Sequence, residues 1–137
     1  MKKLILSGIA ASLVMFSLAG LYTVVLVHSF IASHVDAALL RSPTNLSLVY
    51  GGYLLLGLLM AWIYPRIART VVSPLRSGLL FGGGCAVFWL MPYSLVLFGV
   101  YNFPYSALPI YFAWALVEQA AGGVVIALIY GKSKASP

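Results

Sequence analysis

The side chains able to carry a proton or hold a metal are few: two acids, Asp36 and Glu118, two histidines, His28 and His34, and one cysteine, Cys85. Glu118 is the most informative. It lies about nine residues into a 22-residue apolar run at 109–130, near the middle of any span that run forms. An ionised carboxylate there costs roughly 2.5 kcal/mol or more. The group is therefore expected to be protonated, hydrogen-bonded or facing a cavity. Gln119 adds a second polar group beside it. One reading makes the pair a proton-linked carrier site or a polar contact between subunits. The other is structural: a neutral acid bonded to a tyrosine hydroxyl, or to a carbonyl that a proline has freed. No second acid and no histidine falls within an apolar run to complete a proton relay.

The histidines and Asp36 cluster between 28 and 36, but their spacings of six and two do not share a helix face. A helical metal pair needs three or four. No metal site and no cofactor is expected, haem included, since both histidines belong to one segment.

Enzyme chemistry is poorly supplied. A single cysteine rules out a Cys-x-x-Cys redox pair, and a single aspartate rules out an aspartyl dyad. A serine protease buried in a membrane needs a histidine deep in its helices, and a Mg²⁺-dependent phosphotransferase needs several carboxylates. Gly82-Gly83-Gly84 is not a phosphate loop, because no Lys-Ser/Thr follows. No catalytic residue is assigned and no enzymatic activity is expected.

The elements that must position Glu118 follow from composition. The chain has 137 residues, 63% hydrophobic and 7% charged. A soluble domain of this size needs more polar surface. Each span takes about 20 residues, so the chain is expected to be a single transmembrane domain: an all-α four-helix bundle with spans at 4–27, 43–64, 74–99 and 109–130. The run at 4–27 competes with a secretory signal peptide, since Lys2 and Lys3 precede it and Ser17-Leu18-Ala19 resembles a cleavage site. Its length favours a retained span. Ser42-Pro43 and Ser73-Pro74 read as helix starts, and Pro65 as the end of the second helix. Tyr50, Tyr53, Trp62 and Tyr64 read as interfacial aromatics. Pro92 should kink the third helix and free the Phe88 carbonyl.

In lipid, helices associate through close packing. Small residues recur at four-residue spacing as Gly78, Gly82 and Ala86 in the third run and as Gly123 and Ala127 in the fourth. Gly8 and Ser12 do the same in the first, until Phe16 interrupts them. These faces hold the bundle together or meet a partner.

Seven cations (Lys2, Lys3, Arg66, Arg69, Arg76, Lys132, Lys134) fall at the two termini and the second connection, against Arg41 alone on the other side. That asymmetry predicts cytoplasmic termini. It also accounts for the net charge of +6 without nucleic acid as a partner.

Gly8-Ile9-Ala10-Ala11, Tyr50-Gly51-Gly52-Tyr53, Ser77-Gly78-Leu79-Leu80-Phe81-Gly82 and Ala120-Ala121-Gly122-Gly123-Val124-Val125-Ile126 together resemble a group of small four-span bacterial inner-membrane proteins of unknown function. The resemblance covers nearly the whole chain and implies a multi-pass protein of the cell inner membrane, with no activity to carry over. In size and span count the chain is also similar to small multidrug exporters. Those carry their glutamate in the first span, whereas here it is in the fourth. The sequence thus leads to two expectations. The first is a non-catalytic accessory or structural component, acting in the lipid bilayer through helix contacts with another membrane protein or a second copy. The alternative is a small proton-coupled carrier for a hydrophobic or cationic molecule, using Glu118 with Trp89, Tyr93 and Trp114 as cavity aromatics.

Overall fold

The structure, a computed structural model, describes residues 1–26, 28–29, 33, 43–67 and 73–131. Among these there are helices and no strand. Helix α1 (Lys2–Leu21) runs on into a π-helical turn, Tyr22–Leu26. Helix α2 is Leu46–Ile67. Helix α3 (Pro74–Cys85) passes through a second π-helical turn, Ala86–Leu90, into α4 (Met91–Val100). A short 3₁₀ turn, Tyr105–Ala107, leads into α5 (Leu108–Tyr130). Four helical stretches, Lys2–Val25, Leu46–Ile67, Pro74–Val100 and Tyr105–Tyr130, are long and apolar enough to cross a membrane. His34, Asp36, Arg41, Ser42, Arg69, Lys132 and Lys134 lie outside the described residues.

The helix ends obey local rules, with two departures from expectation. Ser73 caps α3 as its spacing predicts: its Oγ accepts from Arg76 N–H at 3.3 Å, and Pro74 takes the first position. The second helix starts later than Pro43. Asn45 is its cap, with Oδ1 accepting from Leu48 N–H at 3.0 Å. Nor does it end at Pro65, which lies inside α2.

That proline has a compensation. It lacks the N–H that would bond the Ala61 carbonyl four residues back. Tyr130, at the end of α5, donates its hydroxyl to that same carbonyl at 2.9 Å. The missing backbone bond thus becomes a tie between two helices. Tyr130→Phe should cost about 1 kcal/mol. In a Pro65→Ala background, where the alanine N–H serves Ala61, it should cost almost nothing. Unfolding of the two single variants and the double variant in mixed micelles measures this, and an equal cost in both backgrounds would refute the compensation.

Packing is tightest where side chains are absent. A Cβ on Gly78 would stand 2.5 Å from Val124 Cα, one on Gly82 2.7 Å from Ala120 Cα, and one on Gly123 2.8 Å from Gly82 Cα. No real side chain fits such spaces. Ala86 and Ala127 are fully buried too. The stripes of the third and fourth runs therefore meet each other inside the chain, so Gly78, Gly82 and Gly123 are not free for the partner or second copy the sequence also allowed. The α1–α2 pair uses the same device: a Cβ on Gly57 would meet Ser12 Cβ at 3.1 Å. Ser12, in that seam, and Ser7 are both buried and bond back to the Ile9 and Leu4 carbonyls at 2.8 and 3.2 Å. Their polarity is satisfied within their own helix.

Tyr64 belongs to this packed half and is not an interfacial anchor. It is buried, shares a 2.9 Å hydrogen bond with Ser77 Oγ, and packs edge-on against Phe81.

Candidate functional site

Near Pro92 the bundle changes character. Instead of a simple kink at the freed Phe88 carbonyl, the chain widens into the π turn. Met91 N–H reaches back five residues to the Ala86 carbonyl, so the bonding has already changed step before the proline arrives. α3 lies along α5, but α4 beyond the turn touches α5 little. A cleft of about 790 Å³ opens there. It is walled by the end of α1, the first half of α2, α4 and the first half of α5, in the half of the bundle away from both termini. That volume falls within the range of sites for drug-sized ligands.

Glu118 and Gln119 border this cleft and are otherwise covered, at 5% and 2% exposure. Helix periodicity accounts for their companions on α5, since Trp114 stands one turn and Tyr111 two turns before Glu118. Both line the cleft. Tyr53 of α2 lines the cleft together with Glu118. Its ring is held edge-on by Phe16 at 6.0 Å between centroids, so the residue that interrupts the small stripe of α1 positions the wall of the cleft. Tyr22, in the first π turn, stacks on Trp114 at 5.2 Å with planes 16° apart. At the far end Phe98 meets Phe103 at 5.4 Å and Tyr111 at 6.0 Å.

Two donors in this wall lack acceptors. Trp114 Nε1 and Gln119 Nε2 are buried and make no hydrogen bond, although Glu118 is the neighbour of Gln119. A buried donor left unpaired costs about 1–3 kcal/mol. Among the described residues, every lining residue other than Thr23, the tyrosines, Trp114, Glu118 and Gln119 is apolar, and none carries a positive charge.

The structure thus brings Glu118, Gln119 and Trp114 together. It does not bring Trp89 or Tyr93 to them. Those are 64% and 58% exposed and are not lining residues, because the π turn offsets the residues after Ala86 from regular helical register. Reasoning from sequence missed Tyr22, Tyr53 and Tyr111. Tyr111 was available from its spacing to Glu118. Tyr53, read as an interfacial aromatic, was not, because its placement depends on how α2 crosses α5.

Chemically the arrangement can bind: it combines a large apolar volume with a few convergent polar groups. Among the described residues it holds no nucleophile paired with a base. Comparisons with family models, curated proteins and solved structures give no match to this chain.

Proposed function

We propose that this protein is a multi-pass bacterial inner-membrane protein, one of the small four-span group it resembles, that binds a lipophilic molecule in the cleft at Glu118. Both termini are cytoplasmic in this proposal, on the strength of the seven cations that fall at the termini and the second connection. Reporter fusions at residue 137 and within 65–73 should then both read cytoplasmic, and a periplasmic result at either would refute the orientation.

The observation that carries the binding role is the setting of Glu118. An acid used only for packing would be closed in by neighbouring helices. Here it borders a cleft of about 790 Å³. The accessory role loses ground for a matching reason, since the glycine faces that would have met a partner are engaged within the chain.

Gly52 gives the test. It lines the cleft, and a Cβ there meets nothing within 4 Å. Gly52→Leu should therefore fold normally while filling part of the volume. Saturable binding of a lipophilic probe to protein in lipid nanodiscs, against empty discs, should weaken about fivefold. Unchanged saturable binding in this variant would place the ligand elsewhere and defeat the proposal.

A further inference from the structure

We propose that the molecule held in the cleft is a neutral lipophile bearing a hydrogen-bond acceptor, such as the carbonyl oxygen of a quinone, ketone or ester, and not a lipophilic cation. This rests on the ligand-binding reading above and specifies its chemistry.

The inference comes from the balance of donors and acceptors. Trp114 Nε1 and Gln119 Nε2 can only donate, and both are buried without a partner. Tyr53 and Tyr111, which also line the cleft, carry hydroxyls that can donate as well. Glu118 in its neutral form adds one more. A carbonyl oxygen offers two lone pairs and no proton, so it accepts from two of these groups at once. An ammonium or phosphonium ion offers no lone pair and leaves both N–H groups unpaired. A fatty acid anion or a phosphate brings a negative charge that no lysine, arginine or histidine among the described lining residues would meet. The remaining lining, mostly alkyl and aromatic, suits an uncharged ring and tail. Trp114 is already oriented by its stack on Tyr22.

The experiment uses the full chain in lipid nanodiscs with two probes, decylubiquinone and tetraphenylphosphonium, and empty discs as background. Wild type should bind the quinone saturably and the cation no better than empty discs do. Trp114→Phe and Gln119→Leu should each weaken quinone binding about threefold to tenfold. Trp114→Phe keeps the ring stack, so it remains informative if Gln119→Leu folds poorly. Three results overturn the inference. Saturable cation binding without quinone binding defeats it and leaves the cleft as a binding site. Equal quinone affinity in wild type and both variants defeats the assigned donors. Saturable binding of neither probe defeats this inference together with the binding role.

Discussion

Gly82→Leu is expected to abolish the folded bundle, with a loss of about 3 kcal/mol or more. The reason is backbone proximity. At Gly82 even a Cβ would collide with the Gln119 backbone and stand 2.7 Å from Ala120 Cα. Neither group can rotate away as the end of a side chain could. Relief requires α3 and α5 to separate, which forfeits the contacts along the whole seam. Gly83 and Gly84 provide the control, because they occupy the same helix but a Cβ on either would meet nothing within 4 Å. Gly83→Ala should be neutral or stabilising by about 0.5–1 kcal/mol, as alanine is the better helix residue. Unfolding of the two variants in mixed micelles separates close packing from a general intolerance of glycine replacement. A stable Gly82→Leu protein would mean the α3–α5 seam is not as close as described.

The second large effect is expected at Glu118, where the replacement decides the outcome. Leucine removes every polar contact, so binding of a carbonyl ligand should fall about tenfold or more. Stability should fall by only about 1 kcal/mol, the usual scale of one interhelical hydrogen bond in lipid. Glutamine keeps a donor and an acceptor in nearly the same shape but cannot ionise. Glu118→Gln should therefore fold like wild type and retain most of the affinity. Proton release on ligand addition to proteoliposomes should be flat for both wild type and the glutamine variant. Release by wild type that disappears in Glu118→Gln would instead identify a proton-exchanging carrier, and the neutral-donor account would fail.

Much of this architecture was legible from local patterns. The four apolar runs, the Ser73 cap and the glycine stripes at Gly78, Gly82 and Gly123 each follow from a few neighbouring residues. Glu118 and Gln119 stood out because polar groups in an apolar run carry a desolvation cost. What escaped was relational. Pro65 read as a helix end because its partner, the Tyr130 hydroxyl that serves Ala61, lies 69 residues from that carbonyl. Trp89 and Tyr93 read as cavity aromatics from residue type alone, whereas the structure leaves both exposed in and just after the π turn. Tyr53 and Tyr64 read alike as interfacial aromatics. Only helix crossings place one beside an acid and the other in a packed core. The glycine at 57 went unnoticed because close approach to Ser12 is a property of two helices at once.

The central position of α5 has a consequence for how the chain is made. The close approach of α1 and α2 at Gly57 and Ser12 joins two helices made early in synthesis. The glycine face of α3 packs along α5, which follows it in the chain. At about 5–20 residues per second, the 45 residues from Cys85 to Tyr130 take roughly 2–9 seconds to translate. Throughout that interval Gly78 and Gly82 lack their covering helix. A glycine face built for a backbone thus stays open until the helix that covers it has been made.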